Sequence, residues 1–292
     1  MRSQRIGLIG LGIMGKPMAN NLLNAGHQLG LYARRAKSLA PFLNNKQIEI
    51  YPSIDTLAKH CEITITCVAD SPDVIDVITG DLGLIHGAKA ENLIIDMSTI
   101  SPEVTRTIAG QLAEKNIDML DAPVSGGEVG AIDGTLSIMV GGKTDVFTRA
   151  LPIFEILGKN IVHVGDHGAG QVAKSCNQIL AAQTIAAVAE ALLLAKSSNV
   201  DPAKVREALL GGFANSRVLD LHGQRMLDNN YKPGFKASLH YKDMGIALNS
   251  AKQNNISLAG AEMAMQYLKQ IVENESEDLD SSAIAKIIFG EL

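Results

Sequence analysis

Three short stretches of this 292-residue chain bring together residue types that could do chemistry. Gly10-Leu11-Gly12-Ile13-Met14-Gly15 has the form GxGxxG, follows the apolar run Ile6–Ile9, and opens a helical pattern that stops at Gly26. In that context Gly10 allows a tight turn, Gly12 lets a pyrophosphate approach the main chain, and Gly15 lets helix and strand pack closely. The N–H groups of this turn, through Leu11, Ile13 and Met14, would face an anion at a helix start. The second stretch, Asp121-Ala122-Pro123-Val124-Ser125-Gly126-Gly127, has paired glycines whose bare N–H groups suit a carboxylate, and Ser125 adds a hydroxyl donor. As a bare pattern it is no more than a strand-to-loop turn. The third, Gly168 to Gln178, sets Lys174 in an otherwise apolar helix with Asn177 on the same face. Burial lowers a lysine's pKa, and such a group could give a proton to a carbonyl oxygen as hydride reaches the carbon. On spacing alone, a lysine snorkelling to solvent is the simpler account.

Cofactor choice turns on the end of the next strand, Gln28–Ala33. An NAD-binding chain places Asp or Glu there, to accept from the ribose 2′-hydroxyl. This sequence has Arg34 and Arg35, with Lys37 nearby. Two cations suit a 2′-phosphate, so NADP(H) is favoured, with NAD(H) as the alternative. Solvated basic residues at a helix start are the other reading.

The elements that must hold these groups change character along the chain. Short β-rich runs are expected at Arg5–Ile9, Gln28–Ala33, Ile48–Ile50, Ile63–Val68, Leu93–Met97, Asp118–Ala122, Leu136–Val140 and Ile161–Val164. Helices fill the gaps at Pro17–Ala25, Ile54–His60, Pro72–Ile78, Pro102–Lys115 and Asp145–Leu157. Strands alternating with helices predict an α/β domain over residues 1–164, a Rossmann-type, mostly parallel, doubly wound sheet. From residue 165 to 292 the strand signals stop. Gln171–Asn199 reads as one long inter-domain helix, apolar enough to be buried among others, and further helices start near Pro202, Asn215, Leu239, Gly260 and Asp280. The second domain is therefore expected to be all-α.

Composition excludes several classes of partner. There are 26 basic and 31 acidic residues, a net charge of −5, and no long block of like charge, which argues against nucleic acid or an anionic membrane. Aromatics are 4% with no Trp, so stacking platforms for bases are scarce. Cys61, Cys67 and Cys176 are odd in number and lack CxxC spacing, and Cys176 reads as a small buried residue. His163 and His167 flank a glycine loop without a third ligand, so no metal site is expected. Met14, Met18, Met226, Met244, Met263 and Met265 read as core material. Met1 to Arg5 leads straight into a strand without a signal-peptide pattern, and the expected compartment is the cytoplasm.

Over essentially its whole length the chain resembles the β-hydroxyacid dehydrogenase family. The resemblance is carried by Gly7 to Met18, by Asp121 to Gly127 with Gly134-Thr135-Leu136, by Gly168 to Gln178, and by Lys242-Asp243-Met244. It implies a Rossmann-type domain, a helical C-terminal domain that drives assembly as a homodimer or homotetramer, and a catalytic lysine at Lys174. It also implies that Ser125, Gly126 and Gly127 bind the substrate carboxylate, that Asn177 orients the substrate, and that Lys242 acts from the C-terminal domain on substrate and cofactor. Thr99 matches the position on the nicotinamide side. Val68, Ala69 and Asp70 occupy a cofactor loop that usually reads Leu-Pro.

Within the family, Ser125 to Glu128, Asn177-Gln178 and Leu239 to Asp243 resemble the tartronate semialdehyde reductases. Polar Gln178 and His240 would suit a substrate with an extra hydroxyl or aldehyde oxygen; a structural helix-start role for His240 is equally consistent. The expected activity is reduction of a short 3-oxo acid to a hydroxy acid. Alternatives are 3-hydroxyisobutyrate oxidation, a broader glyoxylate or succinic semialdehyde reductase, and a non-catalytic NADP-binding sensor, against which Lys174 counts.

Overall fold

The computed structural model describes residues 4–292, so Met1, Arg2 and Ser3 of the expected leader-free start lie outside the described residues. The chain divides into two compact units, Met1–Lys174 and Ser175–Leu292. The division falls ten residues beyond the boundary expected near residue 164. The first turns of the long helix are bonded to the sheet's loops, as described below.

In the first unit the chain runs through β1 (Arg5–Ile9), α1 (Gly15–Asn24), β2 (Gln28–Tyr32), β3 (Ile48–Ile50), α2 (Ile54–His60), β4 (Ile63–Thr66), α3 (Ser71–Thr79) and α4 (Leu84–Gly87). It continues with β5 (Leu93–Asp96), α5 (Pro102–Ala113), β6 (Asp118–Asp121), β7 (Val124–Ser125), α6 (Gly127–Asp133), β8 (Leu136–Gly141), α7 (Thr144–Leu157) and β9 (Gly158–Gly165). The sheet order is β3-β2-β1-β4-β5-β6-β8-β7, with β9 beside β8. Strands β1 to β6 are all parallel. β8 runs antiparallel to β6 and β7, and β9 is parallel to β8.

Alternation along the central strands builds two cores. Ile6 and Leu8 of β1, with Leu93 and Ile95 of β5, pack on one face with Met18, Leu22 and Phe154. Ile9 and Ile94 pack on the other with Leu57, Val74, Ile108 and Leu112. A sheet covered on both faces needs apolar residues at successive positions, which is why β4 and β5 are buried throughout. The chain winds outward from β1 to β3 and returns to β4, so the switch point lies between β1 and β4. There the loops after their C-terminal ends meet.

The second unit is helical. α8 (Ala169–Ser197) begins in the first unit and, at about 1.5 Å per residue, is about 43 Å long. It is followed by α9 (Pro202–Leu210), α10 (Arg217–Leu227), α11 (Ala237–Gln253), α12 (Ala259–Glu273) and α13 (Ile284–Ile288). Among the described residues α8 alone is long and apolar enough to cross a membrane by length and composition. Its Ala182, Ile185, Ala189 and Leu192, at helical spacing, are buried in a core with Leu219, Met244 and Leu268. Burial among the other helices, as the sequence suggested, is confined to one stripe: Leu180 and Leu194 are exposed. Met263 and Cys176 are likewise exposed rather than core. Cys176 lies two residues, about 200°, around the helix from buried Lys174. Asn116, Asn199, Asn229 and Asn255, after α5, α8, α10 and α11, adopt the left-handed conformation that Asn tolerates.

Candidate active site

At the switch point, Gly10 has φ +100°, and a Cβ there would lie 2.1 Å from the carbonyl oxygen of Cys67, the residue after β4. Only glycine fits. A Cβ on Gly15 would meet the Gly10 carbonyl oxygen at 2.0 Å, whereas one on Gly12 would meet nothing within 4 Å. The loop is therefore closed toward the protein at Gly10 and Gly15 and open at Gly12, the space that the sequence pattern requires for the expected pyrophosphate. Leu11 is buried beneath it, while Ile13 is exposed. Arg34 and Arg35 are exposed after β2, and Arg34 Nη2 donates to Asp73 Oδ1 of α3 at 2.9 Å. Ala69 is exposed. Asp70 caps α3 by accepting from the N–H of Ser71, and the Val68 N–H donates to Ser98 Oγ at 2.9 Å.

The second glycine pair sits at the end of the short hairpin of β7. Gly126 and Gly127 have φ of +137° and +62°, so their N–H groups form a turn that L side chains resist. Both glycines are exposed, and Val124 and Ser125 are half-buried. Lys174 is 7% exposed, and its Nζ donates to the carbonyl oxygen of Val124 at 2.9 Å. The lysine therefore lies beside the Ser125–Gly127 turn, as a side chain braced by the protein and not one reaching out to solvent.

Asp121 fixes where that lysine's helix starts. Its Oδ1 accepts from Gly168 N at 2.8 Å and its Oδ2 from Gln171 N at 3.1 Å, which satisfies two helix-start donors. Burial pushes its carboxyl upward in pKa, against the pull of those two N–H groups and of His167. Gln171, with no exposure, reaches from the same turn to the loop after β5. Its Oε1 accepts from Ile100 N at 3.1 Å and its Nε2 donates to Ser98 O at 2.9 Å. Half-buried Thr99 lies between those two contacts.

The candidate residues of the second unit form a group of their own. Asn177 Nδ2 donates to Gln178 Oε1 at 2.7 Å, and Gln178 Nε2 donates to Asp243 Oδ2 at 2.7 Å. Lys242 Nζ is 2.8 Å from Asp243 Oδ1. His240 Nε2 contacts the Gln178 carbonyl oxygen at 3.2 Å, and its ring packs beside Phe235.

Residues 5–165 match the NAD binding domain of 6-phosphogluconate dehydrogenase. Residues 168–288 match the family described as NAD-binding of NADP-dependent 3-hydroxyisobutyrate dehydrogenase. The chain is 44% identical over 287 residues to a 2-hydroxy-3-oxopropionate reductase of Escherichia coli, with 97% of each chain covered. The chain belongs to the β-hydroxyacid dehydrogenase family. It is an NAD(P)-dependent dehydrogenase. A 3-hydroxyisobutyrate dehydrogenase of Pseudomonas aeruginosa is 37% identical over 297 residues, with 98% of each chain covered. The solved 3-hydroxyisobutyrate dehydrogenase of Mycobacterium tuberculosis superposes with a TM-score of 0.89 at 29% identity, covering 98% of this chain and 99% of that one.

In this dehydrogenase, Gln178 and His240 are 4% and 1% exposed and are engaged by their own unit's polar atoms. Gln178 bonds Asn177 and Asp243, and His240 contacts the Gln178 carbonyl oxygen; these bonds are compatible with both expectations, a structural role and a part in meeting a substrate oxygen. His163 and His167, considered and set aside as metal ligands, contact the carbonyl oxygens of Gly142 and Met119. Sequence reasoning missed Asp121, Gln171 and Asp243 as bracing residues. Each stood inside a quoted motif: Asp121 opens the stretch that ends in Gly126-Gly127, Gln171 follows Gly170, and Asp243 follows Lys242.

Proposed function

We propose that this dehydrogenase uses NADPH to reduce a short 3-oxo acid, tartronate semialdehyde, to the hydroxy acid glycerate. The observation that carries the reading is the 2.9 Å bond from buried Lys174 to the carbonyl of Val124, next to the Ser125–Gly127 turn. It sets a proton donor beside a turn of exposed N–H groups suited to a carboxylate. When bound, the reduced nicotinamide supplies the hydride that goes to the aldehyde carbon. Lys174 gives its proton to the carbonyl oxygen as charge develops there, and is reprotonated from solvent. Ser125, Gly126 and Gly127 hold the acid group; Asn177 and Lys242 are proposed to orient the substrate, in keeping with the family. Support for this substrate class comes from the name of the Escherichia coli relative.

The reading makes a direct prediction. A nicotinamide-absorbance assay with NADPH and NADH against C2–C4 oxo and hydroxy acids should show highest kcat/KM for tartronate semialdehyde with NADPH. Lys174→Ala should lower kcat by about 10²–10⁴-fold with cofactor affinity nearly intact. Near-normal turnover in that variant would remove Lys174 from the chemistry, and preference for 3-hydroxyisobutyrate would move the chain to the other branch. We also propose a homodimer or homotetramer built through the helical unit, a reading supported by exposed Leu180 and Leu194 on α8, and a cytoplasmic location.

A further inference from the structure

We propose that Gln171 is a positioning residue for the reaction: its side-chain amide holds the Ser98–Ile100 loop at a fixed offset from Lys174. The proposal rests on the reading of Lys174 as the proton donor. Its geometry lies wholly within the first unit.

The amide donates to the carbonyl of Ser98 and accepts from the N–H of Ile100. Donating to one residue and accepting from the next but one is what a neighbouring strand does for an extended segment. Thr99 is thus held from both sides by one side chain. Among side chains of this length only a primary amide carries the donor and the acceptor side by side; a carboxylate has acceptors only and an ammonium donors only. With no exposure, Gln171 is cut off from bulk solvent, which therefore does not compete for either partner.

The other end of the brace is equally fixed. The Gln171 main chain is tied to Asp121, as is Gly168. A Cβ on Gly170 would lie 2.4 Å from the Met139 carbonyl oxygen and 2.8 Å from that of Asp121, so the first turn of α8 is pressed against β6 and β8. Lys174 follows Gln171 by three residues and lies on the same side of the helix. The bracing continues outward, because Ser98 Oγ accepts from the N–H of Val68. One buried amide therefore links the loops after β4 and β5 to the helix turn that carries the lysine. An error of about 1 Å in such an arrangement is enough to cost about 10²-fold in rate.

Two variants of the full chain test this. In Gln171→Met, which keeps length without hydrogen bonds, kcat should fall about 10- to 100-fold, with the NADPH Kd from fluorescence titration within about threefold of wild type. The primary deuterium isotope effect with 4-deuterated NADPH should rise. Amide hydrogen exchange in the peptide spanning Ser98–Ile100 should accelerate. Gln171→Glu should be equally impaired at pH 8, where its carboxylate faces the Ser98 carbonyl. It should recover toward pH 5.5, because a protonated acid supplies the same donor and acceptor. The activity ratio of Gln171→Glu to wild type removes the titrations that both proteins share, that of Asp96 among them.

A Gln171→Met kcat within about twofold of wild type would overturn the proposal. So would a flat Gln171→Glu ratio, or unchanged exchange at Ser98–Ile100. If Lys174→Ala retains turnover, the proton-donor reading fails while the exchange result still judges the brace. If Lys174→Ala collapses and Gln171→Met does not, only the positioning role falls.

Discussion

Asp280 in the helical unit and Asp96 in the sheet unit are both buried aspartates, with opposite surroundings. Asp280, 1% exposed, accepts from the N–H groups of Gly234, Phe235 and Ser282 and from Ser282 Oγ, and pairs with Arg225 at 3.1 Å and His222 at 3.4 Å. Burial alone would raise its pKa, but these donors outweigh burial and hold the carboxyl well below the usual range. Asp96, at the end of β5, receives Thr66 Oγ1 and the Ser98 N–H on one oxygen, while its other oxygen is buried without a hydrogen-bond partner among the described residues. Burial pushes it up to about 6, with the charge of Asp121 adding to the rise. A buried acid in the helical unit staples α10, the 234–235 loop and the turn at Ser281–Ala283. In the sheet unit an incompletely met charge lies at the strand ends that carry the site loops, where chains tolerate such cost for function.

The largest expected effect comes from breaking the staple. Asp280→Ala leaves Arg225 and several N–H groups without their acceptor, and should destabilise the chain by about 3–5 kcal/mol in urea titrations. A loss below about 1 kcal/mol would mean those groups find other partners. The acid dependence has a definite sign. A carboxyl held below its unfolded value stabilises above about pH 4, and that stability fades as pH falls further.

Asp96 has the reverse sign. Its folded value, about 6, lies above the unfolded value near 4, so the fold favours the protonated form and becomes more stable as pH falls from 6 toward 4. Asp96→Asn keeps an acceptor for Thr66 and Ser98 and cannot ionise. The stability difference between variant and wild type should therefore shift by about 1–3 kcal/mol between pH 4.5 and 7.5, in favour of the variant at the higher pH. Thermal melts across that range measure it; a constant difference would mean that Asp96 is not the titrating group.

The contrast also shows what could be read from sequence. Strands β1, β4 and β5 were legible because a sheet covered on both faces demands continuous buried runs, and Ile48–Ile50 and Ile54–His60 emerge with the expected ends. α6 was not legible: Gly127, Gly130 and the left-handed Gly134 at its end disguise it as loop, and β7 is only two residues long. In the site, the glycine loop and Lys174 stood out because their residue types are unusual for their surroundings. Asp121, Gln171 and Asp243 did not. Their partners are 50, 71 and 65 residues away in the chain, so their roles exist only once the fold is formed.

The smallest expected effect on stability belongs to a third aspartate, Asp73, at the surface of α3. Its pair with Arg34 has side-chain exposures of 23% and 70%, and such pairs contribute only about 0–1 kcal/mol. Its consequence should appear in cofactor choice. If Arg34 meets a ribose 2′-phosphate, Asp73 competes for the same guanidinium and repels the same anion. Asp73→Asn should then tighten NADPH by about threefold to tenfold, or about 0.7–1.4 kcal/mol, with NADH little changed. Arg34→Ala should weaken NADPH about tenfold more than NADH. Both shifts should shrink at high salt, because the groups are exposed. Fluorescence titrations of the two cofactors at two ionic strengths decide it: equal changes for NADPH and NADH would take Arg34 out of the phosphate site and leave its pair with Asp73 as surface charge alone.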